Sequence, residues 1–141
     1  MNKKVFIDSD IILDILAKRD AFYKSAAEIL DMGYAKKLDL YTTAVVLANV
    51  CYILRKKFGM EKSIETLKKL RLIVKVLPVD EKTVDDALVS KFKDFEDGLQ
   101  YFAAKENGIQ VIVTRNIKDY KGKDVTAQTA EEYLNSCQSI S

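Results

Sequence analysis

Residues 4–14 read KVFIDSDIILD, and the reading of this stretch decides the fold class. Val5, Phe6 and Ile7 are consecutive apolar residues, as in a short strand buried on both faces. The run stops at Asp8. Beyond it, Ile11, Ile12, Ile15 and Leu16 recur at helical spacing. A buried strand feeding a helix is the opening of an alternating strand–helix chain. Three acids, Asp8, Asp10 and Asp14, crowd the junction. They are either solvated turn and cap residues or oxygen ligands of a cation. Asp14 stands four positions before Lys18 and reads as half of a surface helical ion pair.

Outward from this junction the alternation continues. FYKSAAEILDMGYAKK (22–37) is helical, and LDLYTT (38–43) is a second strand. TAVVLANVCYILRKKFG (43–59) is a long helix, with Thr43 as N-cap and Gly59 as the residue just past its end. A further amphipathic helix occupies 60–72, followed by the strand IVKVLPVD, which ends near Pro78. DEKTVDDALVS (80–90) and DFEDGLQYFAAKENG (94–108) are helices, QVIVT (110–114) is a buried strand, RNIKDYKGKDV (115–125) is a loop, and TAEEYLNSC (129–137) is a final helix. Strands alternating with helices imply a parallel sheet covered on both faces, in one domain spanning residues 1–141.

Composition narrows the chemistry. The 141 residues are 48% hydrophobic and 31% charged, an ordinary globular balance. No apolar run reaches the ~18 residues of a membrane span, and the N-terminus lacks a signal-peptide core, so the expected location is the cytoplasm. The chain has no histidine, which excludes Ser–His–Asp and Cys–His catalysis. Cys51, expected to be buried, and Cys137 show no CxxC spacing, so neither zinc nor a disulfide framework is indicated. A net charge of +2 is compatible with a nucleic-acid partner without arguing for one.

In open parallel sheets, ligands bind beyond the carboxyl ends of the strands. Asp8 and Asp10 follow the first strand; Arg115, Asn116 and Asp119 follow QVIVT. The helix preceding that strand begins at the same edge, which brings Asp94, Glu96 and Asp97 there. Carboxylates gathered in this way raise one another's pKa and need a proton or a cation to neutralise them. An all-oxygen donor set favours Mg²⁺ or Mn²⁺. Each residue also has a bland reading. Asp94 with Asp97 is an N-cap followed by an acid in the first turn. Asp119-Tyr120 is turn chemistry. Asn49, on an apolar helical stretch, is either a buried amide bonded to backbone or an inward-facing site residue.

These segments together resemble the PIN-domain ribonucleases. The resemblance lies in VFIDSDIILDIL, VLANVCYILRKKFG, FKDFEDGLQYFAAKENG and VIVTRNIKDYKG, and it covers Val5 to about Leu134. It implies a three-layer, Rossmann-like α/β fold with a central parallel sheet of four to five strands. It also implies a cluster of acids binding Mg²⁺ or Mn²⁺, endonucleolytic cleavage of RNA, and homodimers that in many members are toxins held by a small antitoxin protein. By position, the resemblance carries the metal-binding and catalytic roles to Asp8, Asp97, Asn116 and Asp119. Asn49 stands where most members have Glu, and Asp10 stands where Asn is usual. Asp10, Glu96 or Asp94 would then supply the missing charge. Thr114 or Thr42 is expected to hold a water or a phosphate oxygen, and Arg115 and Lys118 to bind RNA phosphates.

Two rival readings are a PIN-like module that binds RNA or a partner without cutting, and a phosphatase of the haloacid dehalogenase type. The neutral Asn49 and Asn116 favour the first. DSDII favours the second, although its last position is Ile12 rather than Thr or Val.

Overall fold

The computed structural model describes residues 2–138. Five strands, β1 (Lys3–Ile7), β2 (Leu38–Thr43), β3 (Val74–Leu77), β4 (Val111–Val113) and β5 (Thr126–Gln128), form one sheet in the order β3-β2-β1-β4-β5. Every pairing is parallel. The connections carry α1 (Ser9–Leu16), α2 (Asp20–Tyr34), α3 (Ala44–Phe58), α4 (Met60–Leu70), α5 (Glu81–Val89) and α6 (Phe95–Glu106). A short 3₁₀ helix spans Ile117–Tyr120, and α7 (Ala130–Gln138) follows β5. This is the expected α/β architecture.

The strand order locates the functional edge. The chain steps outward from β1 to β2 to β3, then returns to the other side of β1 with β4 and β5. Parallel crossovers are right-handed, so this reversal sends the connecting helices to opposite faces and opens a crevice past the carboxyl ends of β1 and β4. Val5, Phe6, Ile7, Ile112 and Val113 are all buried, as central parallel strands demand. The register sets Ile7 beside Val113, so Asp8 and Thr114 emerge side by side.

Local signals behave as physical chemistry requires. Thr43 caps α3, its hydroxyl accepting from the Val46 amide at 3.3 Å. Gly59 has φ of 84°, a left-handed conformation open to glycine, and joins α3 directly to α4. Among the described residues no helix is long and apolar enough to cross a membrane.

Five strands fall within the four to five expected. The stretch that forms β5 was assigned to no element, because its three residues carry no apolar run; backbone pairing to β4 holds it, with the Thr126 amide donating to Gln110 at 2.7 Å and the Thr114 amide to Gln128 at 2.9 Å. Three expectations are corrected. The stretch 115–125 is not wholly loop, since it contains the 3₁₀ helix. Cys51 is only partly buried. Asp14 is not a surface acid paired with Lys18. It is fully buried, and its partners are Arg115 at 3.2 Å and Arg19 at 3.8 Å.

Candidate active site

Asp8 is held on all sides at the end of β1. Its amide donates to the Val113 carbonyl at 3.1 Å, which ties it to β4. One carboxylate oxygen, Oδ1, accepts from the Ser9 amide at 2.7 Å and caps α1. The other, Oδ2, accepts from the Thr114 hydroxyl at 2.9 Å. That hydroxyl in turn accepts from the Asn116 amide at 3.0 Å, so one side chain orients both the acid and the loop after β4. Gln100, close by, helps to keep the Asp8 carboxyl in its charged form.

Asp97 arrives from the opposite direction, in the first turn of α6. Asp94 caps that helix, accepting from the amides of Glu96 (2.8 Å) and Asp97 (3.3 Å). Both Asp8 and Asp97 are buried. The Tyr120 hydroxyl lies 3.5 Å from Asp97 Oδ1 and donates to Gln100 Oε1 at 3.2 Å. Asp119, exposed on the 3₁₀ helix, hydrogen-bonds the Asp97 carboxyl.

The electrostatics follow from this crowding. Burial, then the charge of Asp10, pushes the Asp8 carboxyl up to about 6, despite the opposing hydrogen bonds from Ser9, Thr114 and Gln100. Burial, then the charge of Asp8, then the hydrogen bond with Asp119, pushes Asp97 up to about 8. Burial, then the charges of Asp8 and Asp97, raises the Tyr120 phenol, which stays protonated and available as a donor.

The remaining expected residues fall into three groups. Asn49 and Glu96 pair with each other, the Asn49 amide donating to Glu96 Oε2 at 2.7 Å, so α3 is tied to the start of α6. Asn116 and Lys118 are exposed at the rim. Thr42, Asp10 and Arg115 are turned to internal partners. Thr42 is fully buried and donates to the Ile7 carbonyl at 3.2 Å. Asp10 Oδ2 accepts from the Arg115 amide at 3.1 Å, while its Oδ1 is buried with no hydrogen-bond partner among the described residues. The Arg115 guanidinium pairs with Asp14 and lies 4.2 Å from the centre of the Phe22 ring.

The donor set fits a hard divalent cation. Asp8 and Asp97 are buried carboxylates, the charge of Asp10 raising Asp8 and the charge of Asp8 raising Asp97, and among the described residues no Lys or Arg forms an ion pair with either. Every neighbouring donor is an oxygen. Among the described residues, no three acids close tightly enough to enclose a cation unaided. A magnesium-like ion that keeps several waters needs only one or two carboxylates.

Two residues at the site escaped sequence reasoning. Gln100 sits three positions after Asp97, on the same helical face, and that spacing was the available signal. Tyr120 follows Asp119 and reads as a turn residue; only the tertiary fold turns its hydroxyl toward Asp97.

Comparison with known proteins shows the family. A PIN domain family model matches residues 4–118. Ribonuclease VapC1 of Aquifex aeolicus is 31% identical over 137 residues, covering 94% of each chain. Among solved structures, Mycobacterium tuberculosis VapC20, a Sarcin-Ricin loop cleaving toxin, superposes with a TM-score of 0.68 at 19% identity, covering 86% of this chain and 96% of its own. A toxin-antitoxin complex from Klebsiella pneumoniae gives 0.64 at 16% identity, covering 84% and 91%. On the family match and the identity to VapC1, the chain belongs to the PIN domain family.

Proposed function

We propose that this chain is a single PIN domain acting as a metal-dependent endoribonuclease, the toxin of a toxin–antitoxin pair, with Mg²⁺ or Mn²⁺ as cofactor. The observation that carries the reading is the pair of buried carboxylates, Asp8 and Asp97, brought into electrostatic contact from distant segments, with no Lys or Arg among the described residues paired with either. The identity to Ribonuclease VapC1 supports RNA as substrate, and the toxin-antitoxin complex among the structural neighbours supports a small antitoxin protein as partner. A homodimer is the assembly we expect from the family.

Asp8 and Asp97 would hold the cation, with Asn116 and Asp119 as further oxygen donors at the rim. A divalent cation in that position lowers the pKa of water and offsets the charge that develops on the phosphodiester. The protein's own residues set up the rest. The Ser9 amide and the Thr114 hydroxyl, one on each oxygen, keep the Asp8 carboxylate from rotating. Tyr120 and the Asp94 cap fix Asp97. Lys118 anchors a phosphate next to the scissile one. Arg115 acts from behind, holding the loop after β4 against α1 through Asp10 and Asp14.

The phosphatase reading is set aside. The family is PIN, and Asp10, the acid two positions after the candidate nucleophile in that scheme, is bonded to the Arg115 amide. Incubation of the chain with single-stranded RNA in EDTA, Mg²⁺ or Mn²⁺ tests the proposal. Internal cleavage only with a divalent cation is expected. Binding of RNA without cleavage at any cation concentration would replace the nuclease by a binding module.

A further inference from the structure

The last two turns of α3 present a surface that the candidate site does not use. Tyr52 is about half exposed, and Ile53 and Phe58 are also open to solvent. Lys56 lies 4.2 Å and Arg55 5.4 Å from the centre of the Tyr52 ring; Lys57 and Lys62 stand 5.5 and 5.3 Å from that of Phe58. The helix carries no acid, and its last turn carries Arg55, Lys56 and Lys57. Aromatic rings interleaved with cations are the chemistry of single-stranded nucleic-acid binding, in which bases stack on rings and phosphates meet the basic side chains.

Position connects this surface to the site. Residues 49, 52, 53 and 56 fall on one stripe of α3. Asn49 begins that stripe and is hydrogen-bonded to Glu96, the neighbour of Asp97. From Asn49 to Lys56 the helix rises about 10 Å. We infer that the Asn49–Lys56 face of α3 is a track for single-stranded RNA leading away from the cleavage site, with a base stacked on Tyr52 and its phosphate held by Lys56 and Arg55. This rests on the nuclease reading above.

Charge favours RNA over a second copy of the chain as the occupant. A twofold contact centred on the last turn of α3 would bring the Arg55, Lys56 and Lys57 clusters of both protomers together, with no acid on the helix to answer them. A polyanion meets them with complementary charge. Exposed cation–π contacts are weak, so the lysine can leave the ring for a phosphate.

The test is fluorescence anisotropy of a labelled 12-nucleotide single-stranded RNA in EDTA, across a salt series, with light scattering on the same samples. Tyr52→Ala is expected to weaken binding by about tenfold or more, and Tyr52→Phe to leave it within about twofold. Lys56→Gln is expected to lower the slope of log affinity against log salt by ~0.7. Unchanged affinity in both Tyr52→Ala and Lys56→Gln overturns the inference. So does a fall in molecular mass in Tyr52→Ala with RNA affinity intact, which would make this face a contact between copies. The two readings fail separately. Loss of cleavage in Asp8→Asn with normal RNA binding in Tyr52→Ala rejects the track alone. Tyr52-dependent binding without cleavage in any cation rejects the nuclease and keeps the track.

Discussion

The Thr114 hydroxyl donates to Asp8 Oδ2 at 2.9 Å, joining two residues 106 positions apart at the ends of adjacent parallel strands. The same hydroxyl accepts from the Asn116 amide, so its removal leaves both a buried carboxylate oxygen and a backbone donor without their partner. Thr114→Val keeps the shape and deletes the hydroxyl. A hydrogen bond to an ionised group is worth ~1.5–3 kcal/mol. Denaturation in EDTA should show a loss of that size at pH 8, a smaller loss at pH 5 where Asp8 is protonated, and near-parental stability for Thr114→Ser.

Stability without a cation should fall as pH rises. Asp8 and Asp97 are raised in the folded state, from an ordinary 3.8 to about 6 and about 8. A raised folded-state pKa means that the fold binds the proton more tightly than the unfolded chain. The resulting stabilisation is fully present below pH ~4 and is lost as pH climbs through 6 and then 8. The melting temperature in EDTA should therefore decline between about pH 5 and pH 8.5. Mg²⁺ or Mn²⁺, or the double substitution Asp8→Asn with Asp97→Asn, should flatten the decline. A flat profile in EDTA for the parent chain would mean that neither carboxyl is raised in the folded state.

Arg115 distinguishes an internal support from a phosphate anchor. Asp14 is fully buried and relies on Arg115 at 3.2 Å, with Arg19 more distant at 3.8 Å. Removing one partner of a buried pair costs about 3 kcal/mol or more, because the other charge stays behind. Arg115→Ala should lower the denaturant midpoint accordingly, and adding Asp14→Asn should recover part of the loss. An anchor with no internal role would leave the midpoint unchanged and raise only KM.

The sequence carried the architecture because its signals were local and strong. The apolar runs at 5–7 and 110–114, the Thr43 cap and Gly59 each declare their element within a few residues. The meeting of Asp8 with the segment after β4 and with the start of α6 followed from one rule about parallel sheets. What local reading missed depends on three-dimensional packing. β5 exists only because β4 offers it an edge. Asp14 keeps the i,i+4 spacing of a surface pair, yet an arginine about a hundred residues away claims it inside the protein. Thr42, expected at the substrate, is drawn into the sheet by the Ile7 carbonyl. Tyr120 has no periodicity to mark it, because it sits on a single 3₁₀ turn.

In the proposed nuclease, Asp8 and Asp97 together would hold the cation on which RNA cleavage depends. The most direct test is cleavage of a single-stranded RNA at saturating Mg²⁺ by the parent, Asp8→Asn and Asp97→Asn, with circular dichroism confirming the fold of each. A loss of at least about a hundredfold in rate is expected for either variant, since a missing ligand forfeits several kcal/mol of transition-state stabilisation. Folded variants that both cleave at the parental rate would contradict it.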